Sequence, residues 1–194
     1  MTVRKAVILV IIIECLVAAF AFYHYGHSLE ALQAVTRYSG RVSLLIFSII
    51  FLLLPQHESN LERLLSPRPF FIFALAHGIH LVELLAYVNL SGNDLIPVRL
   101  AGGFLAYVII FAMPVVKHYT LNGKLTIGKY RIFQTVYLYY VWFIFFMSYL
   151  PRVQGKLPNA GGQYWEFVVL LAWVCMMLGM KLPTLIRSNR SSIQ

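Results

Sequence analysis

The chain of 194 residues is 60% hydrophobic and 12% charged, with a mean hydropathy of +0.74. Soluble domains carry about 25% charged residues, so this composition excludes a water-soluble fold. The formal net charge of +9 fits contact with lipid headgroups and the orientation of membrane loops, rather than contact with nucleic acid.

Six apolar segments predict an all-α integral membrane protein, a six-transmembrane-helix bundle that forms one membrane domain over residues 1–194. The predicted spans are residues 6–23, 38–54, 70–90, 98–116, 131–150 and 164–183. The first follows Arg4 and Lys5 but lacks a small-residue cleavage site and contains Glu14, so we interpret it as a retained helix. Cys15 and Cys175 lie in apolar runs and indicate neither a disulfide nor a cysteine-based metal site.

Lys and Arg residues are unequally divided between the two sides of this topology. Eleven fall on the side of the N-terminus, and five fall on the other side: Arg37, Arg41, Arg99, Arg152 and Lys156. Because the basic side of a membrane protein faces the cytoplasm, both termini are predicted to be cytoplasmic. The longest cytoplasmic connections would be residues 56–69 and 117–130, and the main external loop would be residues 151–163.

Ionisable side chains inside apolar helices are costly, so each is a candidate for function. Glu14 lies on the first helix, and His77, His80 and Glu83 lie on the third. The third-helix residues are spaced at successive i, i+3 intervals, which keeps neighbours on adjoining parts of one helix surface. We expect that surface to face the interior of the bundle.

Three interpretations of the third helix remain open. A histidine could ligate a haem iron, as in b-type sites between two helices of a bundle. The histidines and Glu83 could bind a metal ion directly, although such sites normally need three or four convergent ligands. Alternatively, all three could be hydrogen-bonded packing residues. Glu14 could pair with a histidine, carry protons or lie protonated against a neighbouring hydroxyl.

The fourth and fifth helices carry weaker signals. Ala101, Gly102, Gly103 and Ala106 are small residues that would let another helix or a flat macrocycle approach closely. The run over residues 130–149 is rich in Tyr, Phe and Trp, which we expect to act as interfacial anchors and as packing residues. The remaining histidines lie near span ends, where ordinary surface positions are expected: His24, His27, His57 and His118.

The second and third helices carry a more specific pattern: RYSGRVSLLIFSIIFLLLP over residues 37–55, then Arg68, then FALAHGIHL over residues 73–81. The pattern continues through Gly102, Gly103 and the aromatic run, and it covers residues 37–152. It resembles the ferric reductase-like transmembrane family, to which the haem-binding membrane subunit of the methionine sulfoxide reductase system is related.

The resemblance implies a b-type haem held between a third-helix histidine and a histidine early on the fifth helix. His80 matches the third-helix ligand, and His77 lies one turn away. The fifth-helix position falls on Gln134, whose amide is a poor iron ligand compared with imidazole. A second fifth-helix histidine, present in two-haem relatives, would fall near Met147.

The resemblance further implies a multi-pass protein of the bacterial inner membrane that passes electrons from a quinol or a flavoprotein to an acceptor across the membrane. The sequence has no nucleotide-binding fingerprint, so nicotinamide or flavin chemistry would belong to a protein partner. The alternative, which the glutamine at position 134 motivates, is a haem-free structural or assembly subunit of a larger membrane complex.

Overall fold

The computed structural model of the chain describes residues 3–54, 69–92, 97–157 and 161–191. Within these ranges the regular structure is entirely helical, and each of the six helices contains a segment long and apolar enough to cross a membrane. The helices are α1 (Val3–Tyr25), α2 (Leu29–Leu53), α3 (Pro69–Ser91), α4 (Pro97–Leu121), α5 (Ile127–Val153) and α6 (Tyr164–Ser191). The predictions of an all-α fold and of a multi-pass membrane protein are confirmed.

α2 begins at Leu29, nine residues before the predicted span. The side chain of Ser28 accepts a hydrogen bond from the Ala31 backbone N–H at 3.2 Å, which satisfies one of the free donors at the helix start. Polar residues such as Gln33 hid this first part of the helix from a hydropathy-based prediction. α5 likewise continues through Pro151 to Val153, so its connection to α6 is shorter than predicted.

α2 is the central helix of the bundle. It contacts α1, α3, α5 and α6, while α4 packs between α3 and α5. In the core, the ring of Phe47 on α2 lies 5.5 Å from that of Phe73 on α3 and 5.5 Å from that of Phe145 on α5, centroid to centroid. Three helices therefore meet in one aromatic layer.

Two side-chain contacts fix the register of the antiparallel pair α2 and α3. Near one end of the pair, the Gln33 amide donates to the Tyr87 hydroxyl at 2.9 Å. Further along, a Cβ built on Gly40 would lie 3.1 Å from Cε1 of His80. The middle of α2 therefore lies beside the middle of α3, where the candidate histidines are.

Ring contacts fix the register of α3 against α5, which run in the same direction. Phe70 lies 5.1 Å from Tyr137, and His77 lies 5.9 Å from Phe145, centroid to centroid. Seven residues along α3 therefore correspond to about eight residues along α5. This register decides which α5 residues can reach the histidines.

Candidate functional site

The histidine pair, His77 and His80, lies inside the bundle. The two ring centroids are 5.3 Å apart, and His77 is 8% exposed. Rings stack on His77 from its own helix and from α4: Phe73 at 5.2 Å and Tyr107 at 4.9 Å. The predicted interior face of α3 therefore exists, and aromatic side chains enclose it.

His80 is held against α2. Its imidazole hydrogen-bonds to the backbone of Thr36, and its ring packs on the backbone of Gly40. Its Nδ1 atom is buried and has no hydrogen-bond partner among the described residues, and the same is true of Nδ1 of His77. Each ring thus keeps one nitrogen that the described part of the protein does not use.

The carboxyl pair consists of Glu14 of α1 and Glu83 of α3. Glu83 lies about one turn further along α3 than His80. The carboxyl groups are close enough to interact electrostatically, and the hydroxyl of Ser39 on α2 lies next to both. Glu14 is 4% exposed and Ser39 is fully buried. Of the three alternatives given for Glu14, the one with a neighbouring hydroxyl matches the structure, and that hydroxyl belongs to Ser39.

Gln134 is buried but lies in a different layer from the histidine pair. Tyr137, one turn beyond Gln134, contacts Phe70 and Phe73, whereas the contact of His77 with α5 is at Phe145. At about 1.5 Å per residue, these contacts place Gln134 roughly 10–16 Å along the helix axis from the level of His77. The structure therefore brings His77, His80, Glu14 and Glu83 into one region but does not bring Gln134 to it.

The other described histidines and Met147 lie outside this region. His24, His27 and His118 are exposed, and His57 lies outside the described residues. Met147 on α5 is 43% exposed and points away from the interior.

An ion pair between α2 and α6 was not predicted. Arg41 donates to both carboxylate oxygens of Glu166, at 2.8 and 3.3 Å, and the two side chains are 21% and 19% exposed. A Cβ on Gly161 would lie 2.6 Å from Nη1 of Arg37, so the segment before α6 closes over this arginine. The sequence did contain a signal for this ion pair, because an arginine in an apolar helix requires a carboxylate or a similar partner.

α2 and α3 approach closely at Gly40, whereas the sequence predicted a close approach at Gly102 and Gly103. A Cβ on Gly102 or Gly103 would meet nothing within 4 Å, whereas one on Gly40 would press on His80. In the α5 aromatic run, Tyr137 and Phe145 are buried, as expected of packing residues, while Phe143 is 47% exposed.

The residues present would offer a haem one histidine ligand rather than two. His77 and His80 lie on successive turns of the same helix with ring centroids 5.3 Å apart, so they would not hold one iron from opposite sides. A single histidine has the necessary free nitrogen, because Nδ1 of either ring is unpartnered among the described residues. Direct metal binding has less support, since no three His, Cys, Asp or Glu side chains converge within the described ranges.

The chain matches no family model, no curated protein and no solved structure. The histidine pair, the carboxyl pair and the Arg41–Glu166 ion pair are therefore the features from which a function has to be inferred.

Proposed function

We propose that the chain is the membrane subunit of an electron-transfer system of the ferric reductase-like type, in which His80 ligates a b-type haem. The observation that carries this proposal is the position of the His80 ring, which is partly buried on a spanning helix, beside His77 and against the α2 backbone at Thr36 and Gly40. Metal-ligating histidines characteristically use one ring nitrogen for the metal and the other for a carbonyl or carboxylate. His80 offers an imidazole inside the membrane with backbone next to it that could take the second nitrogen.

The neighbouring residues have roles that follow from their contacts. The Thr36 backbone fixes the orientation of the His80 ring, and Gly40 leaves the space in which that ring lies. The rings of Phe73 and Tyr107 cover His77 and keep water from this layer. When bound, the haem would supply one-electron transfer, while the protein would set its position and the polarity around it.

The electron donor would be a quinol or a cytoplasmic flavoprotein, and the acceptor would lie across the membrane. We assign nicotinamide or flavin chemistry to a partner protein because the sequence lacks a nucleotide-binding fingerprint. The excess of Lys and Arg on the side of the N-terminus supports cytoplasmic termini, and we propose the bacterial inner membrane as the location.

A second candidate function is that of a haem-free structural or assembly subunit of a membrane complex. The specific observation in its favour is the position of Gln134, roughly 10–16 Å along α5 from the level of His77, which argues against Gln134 as a second ligand beside the histidine pair. In this case His77 and His80 would be packing residues, as the stacked ring of Tyr107 already suggests for His77.

An optical spectrum of the full-length protein, purified from haem-supplemented cells, separates the two functions. We expect a Soret band that shifts on reduction with dithionite, together with an α band. His80→Ala should abolish these bands, whereas His77→Ala should retain them. Gln134→Ala is the matched control on α5 and should leave the spectrum unchanged, because its side chain lies in another layer.

A purified wild-type protein with no Soret band would overturn the electron-transfer proposal and favour the haem-free subunit. Bands that survive in His80→Ala but disappear in His77→Ala would move the ligand to His77. Size-exclusion profiles of the variants, compared with that of the wild-type protein, show whether a lost band reflects lost ligation or lost folding.

A further inference from the structure

Three helices contribute oxygen atoms to one buried region at the middle of the bundle. Glu14 from α1 and Glu83 from α3 meet beside the hydroxyl of Ser39 on α2. Glu14 is 4% exposed and Ser39 is fully buried, so open solvent reaches neither. The residues come from distant parts of the sequence, and only the packing of α1 and α3 on α2 brings them together.

Several of these oxygens lack hydrogen-bond partners among the described residues. Both carboxylate oxygens of Glu14, Oε2 of Glu83 and Oγ of Ser39 are buried and make no hydrogen bond within the described part of the chain. Ser43, one turn further along α2, is also fully buried with an unpartnered hydroxyl. A buried polar group without a partner costs about 1–3 kcal/mol, so four such atoms in one region call for a bound species.

Within the described ranges, no basic side chain forms an ion pair with either carboxyl. The ion pair formed among the described residues joins Arg41 to Glu166, and neither member of the carboxyl pair takes part in it. Two carboxylates side by side in an apolar helix bundle repel each other and lose their hydration, so they require positive charge. The donors are hard oxygen atoms, which bind protons and hard cations rather than soft transition metals.

We propose that Glu14 and Glu83 form one shared site for a single exchangeable monovalent cation, either a proton or Na⁺, with the hydroxyl of Ser39 as an additional oxygen ligand. Two carboxylates are too few for a typical polyvalent site, and no third His, Cys, Asp or Glu joins them in the described ranges. One carboxyl would stay protonated, and the exchangeable proton or Na⁺ would neutralise the other, which leaves the site without net charge.

The groups around the site are few. Glu83 has Glu14 as its neighbour from α1 and Ser39 as its neighbour from α2. On α3 the next ionisable side chain is His80, one turn away, whose ring is turned to the Thr36 backbone. The site does not depend on haem, so this proposal stands or fails independently of the proposed electron transfer.

Labelling with a hydrophobic carbodiimide tests the site, because this reagent modifies protonated carboxyls in apolar surroundings. The full chain in detergent would be treated across a pH series, and separately at fixed pH with NaCl or with choline chloride. Peptide mass spectrometry then reports modification of Glu14 and Glu83. We expect one carboxyl per chain to be labelled, with labelling lost as the pH rises. Protection by NaCl but not by choline chloride identifies Na⁺, and protection by raised pH alone identifies a proton.

The variants test whether the two carboxyls act together. Glu14→Gln should shift the pH midpoint of Glu83 labelling and abolish any Na⁺ protection. Ser39→Ala, which keeps both carboxyls, should shift the midpoint in a protein that folds as the wild type does. Glu30→Gln, at an exposed carboxyl in the first turn of α2, is the matched control and should change nothing. Wild-type labelling that is indifferent to both pH and Na⁺ would overturn the proposal, as would an unchanged Glu83 profile in Glu14→Gln.

Discussion

Two groups of polar side chains on α2, one facing α6 and one facing α1 and α3, differ in their hydrogen bonding. On the side that faces α6, Arg41 binds both oxygens of Glu166. Ser48 accepts a hydrogen bond from Nε1 of Trp173 at 2.9 Å and donates to the Leu44 carbonyl at 2.7 Å. Each of these polar side chains is thereby satisfied within the protein.

On the side that faces α1 and α3, Gln33 is bonded to Tyr87, but several polar groups further along α2 lack hydrogen-bond partners among the described residues. Ser39 and Ser43 are fully buried with unpartnered hydroxyls, and both oxygens of Glu14 are in the same state. His80 uses one ring nitrogen and leaves the other unbonded among the described residues.

This difference distinguishes polar side chains that hold the helices together from polar side chains that are available to a ligand. Satisfied hydrogen bonds and ion pairs join helices in a membrane, where the competing solvent is apolar lipid. An unsatisfied buried polar group lowers the stability of the fold. Such a group is expected where it has another role, such as ligand binding or catalysis. The α6 side of α2 therefore stabilises the fold, and the α1/α3 side is the place to look for a ligand.

The largest expected effect comes from breaking the ion pair between α2 and α6. Arg41→Ala or Glu166→Ala leaves one charge in a largely buried position and should lower the free energy of unfolding by about 2–3 kcal/mol, somewhat less than for a fully buried pair. Unfolding in a titration with sodium dodecyl sulfate, followed by tryptophan fluorescence, measures this. The double variant Arg41→Ala/Glu166→Ala should lose less than the sum of the two single changes. Additive losses would show that the two side chains do not act as a pair.

A smaller effect is expected at the contact between α2 and α3. In Gly40→Ala the new Cβ would lie 3.1 Å from Cε1 of His80, so the ring must shift. We expect a loss of about 1 kcal/mol in the same unfolding assay, since overpacking a closely packed contact costs this much or more.

Gly102→Ala is the matched control for that substitution. Its Cβ would meet nothing within 4 Å, and alanine favours a helix over glycine, so stability should be unchanged or higher. Equal losses at both glycines would mean that close packing on His80 is not what limits the size of residue 40.

The smallest expected effect is a difference in stability between alanine substitutions at two serines of α2. Ser48→Ala leaves Nε1 of Trp173 without its acceptor and should cost about 1 kcal/mol. Ser39→Ala removes a hydroxyl that has no partner, so the ligand-free protein should change by less than about 0.5 kcal/mol. Thermal unfolding of both variants in the same detergent gives the comparison. A larger loss in Ser39→Ala would indicate that its hydroxyl is already engaged.

Much of the architecture followed from the sequence. The apolar segments predicted all six helices, and the spacing of His77, His80 and Glu83 predicted an interior face on α3. The start of α2 was missed because its first residues are polar, although Ser28 caps them into a helix. Gly40 was missed too, since a lone glycine in an apolar helix has no spacing partner to mark it.

The sequence by itself determined that this chain forms membrane-spanning helices, because hydropathy and length act locally along the chain. Only the tertiary structure decided which polar groups meet, because that depends on the register between helices. The α3–α5 register places Phe145 rather than Gln134 level with His77. The packing of α1 and α3 against α2 brings Glu14 to Glu83 beside Ser39, across sixty-nine residues of sequence.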